Sequence, residues 1–211
     1  LSIILDLGIN NFNNRAVSRN QKRAGEYLLN LFGVKLLLSF IYFIFTFISA
    51  IFSGYNELQM QMLLSLAINQ ILLSAILYFR SNIAALQLFK TDSLISILDR
   101  LLTIAFCLLL LYSPIVKGGF NILWFIYAQT AALGITAIIA FIVILRKTVL
   151  QLNIWKVKFT RLILIKSMPF ALLSLLMGIY YRIDGVMIER MLPNGSQEAG
   201  IYAASFRLLD A

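Results

Sequence analysis

Most cations in this chain sit in every second connection between long apolar runs, and that alternation constrains the fold more than any other feature. Six such runs follow one another along 211 residues. Arg15, Arg19, Lys22 and Arg23 fall in one connection. Arg80 and Lys90 fall two connections later, and Arg146, Lys147, Lys156, Lys158, Arg161 and Lys166 two connections after that. These are twelve of the eighteen Lys and Arg residues. Lys117 and Arg190 lie at the intervening connections, and Lys35, Arg100, Arg182 and Arg207 lie within apolar runs. Polytopic membrane proteins retain Lys and Arg on the cytoplasmic side of their spans, so the pattern assigns alternate connections to opposite faces of a membrane.

Composition agrees. Hydrophobic residues make up 61% of the chain and charged residues 13%, against roughly 45–50% and about 25% in soluble domains. The apolar excess is cut into segments of about 20 residues, enough to cross a hydrocarbon core roughly 30 Å thick. The net charge of +9 is explained by loop cations facing anionic lipid headgroups, and no nucleic-acid partner is implied. Cys107 is the only cysteine and there is no histidine. An internal disulfide, a Cys/His metal site and a histidine-based triad are therefore excluded within these residues. No phosphate-binding Gly-rich loop and no nucleophile–base pair is present. The reading is a non-enzyme without cofactor or metal.

Helical spans are predicted at 32–53, 58–79, 93–113, 120–145 and 168–192, with another starting near 200. Residues 1–13 read as the end of a span, and 14–30 as a basic cytoplasmic loop. Short connections at 54–57, 114–119 and 193–199 hold turn formers and face the exterior. The longest connection, 146–167, carries Trp155 and places Leu150, Ile154 and Val157 at helical spacing, which predicts an interfacial cytoplasmic helix. Pro169 reads as an ordinary first-turn proline. With Leu1 first and Ala211 interrupting an apolar stretch, the chain reads as an internal piece of a longer one.

The spans carry polar stripes. Lys35, Ser39, Tyr42, Thr46, Ser49 and Ser53 recur at steps of four and three, which keeps them on one helix face. Ser93, Ser96, Arg100, Thr103 and Cys107 do the same. Gln61, Ser65 and Asn69 form a row with Gln70 and Ser74 beside it. Ser167, Ser174, Gly178, Tyr181, Arg182 and Gly185 share a side. Small and hydroxylated residues alone predict close helix packing. A mid-membrane Arg or Asp costs at least about 2.5–3.5 kcal/mol and faces protein or water, so a hydrated cavity is the preferred reading. Arg182 lies about 20 Å along the helix axis from Pro169. Arg182 and Asp184, like the adjacent Asp99 and Arg100, diverge around their helices, so each Arg is expected to meet a partner or an anion elsewhere. Lys35 is expected to snorkel to the cytoplasmic surface. Asp6 either lines the cavity or caps a helix end.

Three stretches carry a family resemblance. The first is Asp6-Leu7-Gly8-Ile9-Asn10-Asn11-Phe12 with Arg15 and Arg19. The second is Lys90-Thr91-Asp92-Ser93 leading to Leu98-Asp99-Arg100-Leu101-Leu102. The third is Tyr181-Arg182-Ile183-Asp184-Gly185-Val186-Met187-Ile188, then Gly200-Ile201-Tyr202-Ala203-Ala204 and Arg207-Leu208-Leu209-Asp210-Ala211. In order and spacing they resemble the oligosaccharide flippases of the multidrug/oligosaccharidyl-lipid/polysaccharide exporter superfamily. The resemblance implies an all-α polytopic membrane protein, part of a MATE-like fold of two bundles with six or more helices each. It implies helices two to six of a first bundle at 1–147, a cytoplasmic interfacial linker at 148–166 and the start of a second bundle (helices seven and eight) at 167–211.

The implied activity is transfer of an undecaprenyl-diphosphate-linked oligosaccharide from the cytoplasmic to the periplasmic leaflet of the inner membrane by alternating access. The implied partners are that lipid-linked substrate, membrane lipids, glycosyltransferases and a polysaccharide polymerase. Arg182 and Arg100 are the candidate cavity cations, Asp184 and Asp99 candidate ion-pair or coupling groups, and Lys35, Asn69 and Tyr181 further cavity candidates. A cation-coupled multidrug antiporter of the same superfamily, a membrane polymerase or ligase and a passive scaffold are the alternatives.

Overall fold

The computed structural model describes residues 5–21, 24–52, 54–112, 122–148 and 157–209. Among them the only regular elements are helices. They are α1 (Ile9–Arg19), α2 (Ala24–Phe52), α3 (Glu57–Ala85), α4 (Phe89–Tyr112), α5 (Ile122–Lys147), α6 (Val157–Met191) and α7 (Gly195–Leu209). Five stretches are long and apolar enough to cross a bilayer: Tyr27–Phe52, Glu57–Ala85, Phe89–Tyr112, Ile122–Lys147 and Ser167–Met191. The all-α polytopic architecture is as expected. Sequence and structure agree on where these spans lie because uninterrupted apolar runs have no other way to satisfy their backbone in lipid.

Helix ends and membrane ends nevertheless differ. The basic stretch expected as a loop over 14–30 is mostly helical, because α1 continues to Arg19 and α2 already starts at Ala24. Helix α6 starts at Val157, so Pro169 is an internal proline of a 35-residue helix and not a first-turn residue. The expected turn at 193–199 is shorter, since α7 begins at Gly195. The first two share a cause. Hydropathy marks where a chain leaves hydrocarbon, whereas Lys, Arg and Glu are good helix formers that let a helix run on into the interface. An internal proline is tolerated in a spanning helix because neighbouring groups satisfy the freed carbonyl. Leu150 and Ile154, on which the interfacial helix was predicted, lie outside the described residues.

Helix α3 is the hub, packing on α1, α2, α4 and α5, while α6 packs on α1, α2 and α7. The α3–α5 seam is close for a legible reason. Ala128, Ala132, Thr136 and Ala140 recur every four residues on α5 and are all buried, and small side chains let helix backbones approach. Phe32 of α2, Phe79 of α3 and Phe141 of α5 close the same junction, with ring centroids 5.4–6.1 Å apart. The polar stripe of α2 faces inward: Lys35, Tyr42 and Thr46 are buried, while Leu36, Leu37, Phe40, Ile44 and Phe45 are exposed. This inversion suits lipid, which solvates the apolar face. Ser39 and Thr46 donate to the carbonyls of Lys35 and Tyr42, each at 2.8 Å, so part of the stripe is satisfied within its own helix.

Residues 5–8 do not continue a span. They turn tightly, with Leu7 at φ 42° and Gly8 at φ 70°, before α1 begins. Gly8 also lies against α6. A Cβ there would stand 2.5 Å from the Ala171 backbone nitrogen and 2.6 Å from the Phe170 Cβ. Glycine is required at this position twice over, for its left-handed backbone and for the approach to α6.

Candidate functional site

The turn before α1 carries Asp6 into the bundle, where it meets a lysine from α2. Lys35 Nζ donates to Asp6 Oδ1 at 2.9 Å and to Ser74 Oγ of α3 at 3.1 Å. Ser74 in turn donates to the Leu5 carbonyl at 3.3 Å. Lys35 is only 5% exposed and Asp6 29%. The Lys35 ammonium also lies 6.0 Å from the Tyr78 ring centroid, at the outer range of a cation–π contact. The Tyr78 hydroxyl is held by the Leu28 carbonyl at 2.8 Å.

The expected snorkelling of Lys35 does not occur. Lys35 is eight residues into the span that starts at Tyr27, or about 12 Å at 1.5 Å per residue. A carboxylate within reach offers the ammonium a closer partner than the surface does. Of the two roles open to it Asp6 takes the second: its Oδ1 accepts the Asn10 amide of the first α1 turn at 3.3 Å, and it lines none of the clefts described below.

Among the described residues one cleft adjoins Lys35, and two others lie elsewhere between the helices. One of about 400 Å³ between α2, α3 and α5 is lined by Lys35, Phe32, Tyr78, Phe79 and Phe141. A second, of about 520 Å³, lies further along the same helices and includes Tyr42, Tyr55, Gln59, Asn69, Gln70 and Gln129. A third, of about 690 Å³, opens where α1 meets α6 and is lined by Arg15, Arg19, Asn20, Tyr27, Phe12 and Phe170. The first is an apolar pocket with one neutralised cation, the second is rich in amides, and the third is basic.

The remaining site candidates are dispersed. Asn69 is 5% exposed and lines the amide-rich cleft. Arg100 is 83% exposed on α4, and its Nε lies 3.8 Å from Asp99 Oδ2. The two neighbours therefore approach instead of diverging, but at a separation too long for a hydrogen bond. The other Asp99 oxygen, Oδ1, is buried without a hydrogen-bond partner. Asp184 accepts a hydrogen bond from the Tyr202 hydroxyl of α7 at 3.1 Å. The side chains of Arg182 and Tyr181 lie outside the described residues, although their backbone belongs to α6. Helix α4 packs on α3 and α5, and α6 on α1, α2 and α7, so among the described residues Arg100 and Arg182 stand on helices with no extensive packing between them. None of the three clefts is lined by Arg100, Asp99 or Asp184.

Sequence reasoning missed the Asp6–Lys35 pairing, the bridging Ser74, the Tyr202–Asp184 contact and the arginine-lined cleft. One signal for the first was available: Asp6 and Lys35 are lone charges of opposite sign in neighbouring apolar segments. In hydrocarbon such charges seek each other.

Five helices long and apolar enough to cross a bilayer, one with its polar stripe turned inward, define a multi-pass membrane protein. The chain belongs to the polysaccharide biosynthesis protein family, whose model matches residues 1–211. It is thus a membrane polysaccharide-related exporter. No curated protein and no solved structure matches it.

Proposed function

We propose that this chain is the working part of a flippase that moves an undecaprenyl-diphosphate-linked oligosaccharide from the cytoplasmic to the periplasmic leaflet of the inner membrane, for surface polysaccharide such as O-antigen. Residues 1–147 would belong to one bundle and 167–211 to a second, and rocking of the two would expose a central cavity to each side in turn.

The observation that carries this reading is the basic cleft between α1 and α6. Its Arg15 and Arg19 sit at the end of the bundle that the cation alternation makes cytoplasmic. Guanidinium groups bind diphosphate oxygens through charge-assisted, bidentate hydrogen bonds. The cleft lies at the join of the two proposed bundles, where a headgroup would enter while its prenyl chain stays in lipid. Arg182, deeper on α6, and Arg100, near the middle of α4, would hold the diphosphate further along. Asp184 and Asp99 would release or rebind these arginines as the bundles move. A cation-coupled drug antiporter favours acidic clefts for cationic drugs, and the two arginines here weigh against it.

Arg182→Ala tests the reading in cells that depend on this chain for surface polysaccharide. The expected result is accumulation of lipid-linked oligosaccharide in the inner leaflet, loss of surface polysaccharide and unchanged membrane abundance of the variant. Arg182→Lys should restore only part of the export, because an ammonium cannot make the bidentate contact. Unimpaired export by Arg182→Ala removes this residue from the mechanism. Accumulation in the outer leaflet instead would point to a polymerase or ligase.

A further inference from the structure

The seam between α1 and α3 is closely packed but poorly paired. Ile9, Asn13 and Val17 recur every four residues on α1 and are all buried, so this face lies against the bundle. At its start Ser81 Oγ of α3 donates to the Asn10 carbonyl at 2.8 Å. At its end Val17 packs with Ala85 of α3 and Ala24 of α2. Asn13 falls between these two contacts, along the stretch of α3 that includes Asn82. Asn13 is 0% exposed and Asn82 1%. Among the described residues neither amide atom of Asn13 has a hydrogen-bond partner, and the Oδ1 atoms of Asn10 and Asn82 lack one as well.

All four atoms are enclosed, with almost no surface for a water to touch in this packing. Enclosed amide groups without hydrogen bonds are costly. The opposite side of α3 shows a settled seam for comparison. There the buried Thr136 of α5 donates to the Ala132 carbonyl at 2.9 Å, and the rest of its row is alanine. On the α1 side the self-satisfaction is partial: Asn82 Nδ2 donates to the Tyr78 carbonyl at 2.8 Å, and its Oδ1 is left over. A half-satisfied polar seam favours any arrangement that lets water in.

The two ends of α1 permit such an arrangement. The turn before it is pinned, Asp6 by Lys35 and the Leu5 carbonyl by Ser74. Next comes Gly8 at φ 70°, the residue type with the widest choice of backbone angles. At the far end the helix stops at Arg19, and Asn20 leaves helical geometry at φ −146°. Phe12, Arg15, Ala16 and Arg19 of α1 line the basic cleft that Pro169 and Phe170 of α6 share. Any swing of α1 therefore moves the arginines of that cleft.

We propose that the α1–α3 seam is a joint that opens toward the cytoplasm. Helix α1 pivots at Gly8, water reaches Asn13 and Asn82, and Arg15 and Arg19 shift against α6. The opening itself needs no substrate; its part in loading the basic cleft rests on the flippase reading.

The test uses the full chain in cells. Val17→Cys and, as a reference, Ile144→Cys are each made with Cys107→Ser and treated with N-ethylmaleimide, which crosses membranes. Ile144 is 1% exposed in the main core near the same end of α5. Labelling of Val17→Cys at least about tenfold faster than of Ile144→Cys is expected from local opening. Equal rates overturn the proposal. Adding Asn13→Leu to Val17→Cys should slow the labelling at least about threefold, because an apolar side chain removes the gain from hydration. An unchanged rate overturns the proposal, since fraying of a short helix and not the amide seam then exposes Val17.

Asn13→Leu alone should match or raise the unfolding midpoint in detergent and lower export at least about threefold, as a joint held shut would. A lowered midpoint overturns the proposal, because Asn13 then has a partner in the membrane. Full export also overturns it. Deleting the whole chain separates the two readings. An unchanged leaflet distribution of the lipid-linked unit removes the flippase reading and with it the loading role, whereas trapped units together with an unreactive Val17→Cys remove the joint alone.

Discussion

Two cations lie within spans in two different regions. Lys35, on α2 inside the group formed with α1, α3 and α5, is bound by Asp6 and Ser74 and almost wholly enclosed. Arg100 is the twelfth residue of the 24-residue helix α4. It stands 83% exposed with a carboxylate no nearer than 3.8 Å. A mid-span guanidinium does not face lipid without a large cost. The exposed side of α4 is therefore a side that water, substrate or further protein covers in the membrane. The inner group uses its charge to fix helices against one another. The outer face holds a charge whose contact among the described residues is a long ion pair with the adjacent Asp99. Position in a span does not separate a structural ion from a functional one; the supply of partners does.

The largest expected effect breaks the enclosed side of this comparison. Removing one member of a fully buried ion pair costs about 3–5 kcal/mol, whereas replacing both by neutral groups is often neutral. Because Asp6 is 29% exposed, loss of Lys35 costs less than that range, though more than loss from a pair with no enclosed member. Lys35→Met should therefore lower membrane abundance and the midpoint of thermal unfolding in detergent. Lys35→Met combined with Asp6→Asn should recover most of both, because asparagine keeps the acceptor for the Asn10 amide. A double variant as unstable as the single one would show that Lys35 acts through something other than Asp6.

A smaller effect is expected where the turn before α1 meets α6. Gly8→Ala places a Cβ against the backbone of Ala171 at a residue that already has positive φ. Overpacking of this kind costs typically 1–3 kcal/mol. The expected outcome is a lower unfolding midpoint with α2, α3 and α5 still helical by circular dichroism. A midpoint equal to that of the parent would mean that α6 sits further from α1 than the structure has it.

What the sequence revealed divides along the same line. Span positions were legible because length and hydropathy are local properties of the chain. So was the inward face of α2, since steps of three and four report one side of a helix. Helix starts at Ala24 and Val157 were not legible, because charged residues end a hydropathy segment without ending a helix. Asn69 was found through its row with Gln61 and Ser65, a periodicity within one helix. The Asp6–Lys35 bond was not found, since spacing tests reach only neighbours on one helix and these residues are 29 apart. The row Ala128, Ala132, Thr136, Ala140 was passed over because small residues do not interrupt an apolar run. The fate of Arg182 was legible only as depth along α6.

The salt bridge at the turn between α3 and α4 sets a lower reference. Arg80 Nε and Nη2 donate to Asp92 Oδ1 and Oδ2 at 2.7 and 3.4 Å, but the side chains are 26% and 23% exposed. Pairs reached by solvent contribute about 0.2–1 kcal/mol. Arg80→Met should lower the unfolding midpoint slightly, and raising salt should shrink the difference between variant and parent.

Arg100→Leu should have the least effect on stability and is the most telling of the series. Leucine fits an exposed position on a spanning helix, and substitutions away from packed or bonded groups usually fall within about 0.5 kcal/mol. Its unfolding midpoint should match the parent, in contrast to Lys35→Met. Export should nevertheless fall, because the change removes an exposed cation whose contact among the described residues is the long 3.8 Å approach to Asp99. A lowered midpoint would place Arg100 beside Lys35 as a structural ion whose partner lies elsewhere in the assembly. Unchanged midpoint with unchanged export would leave the exposed face of α4 without a role in transport, and the comparison would then distinguish only packing from lipid contact.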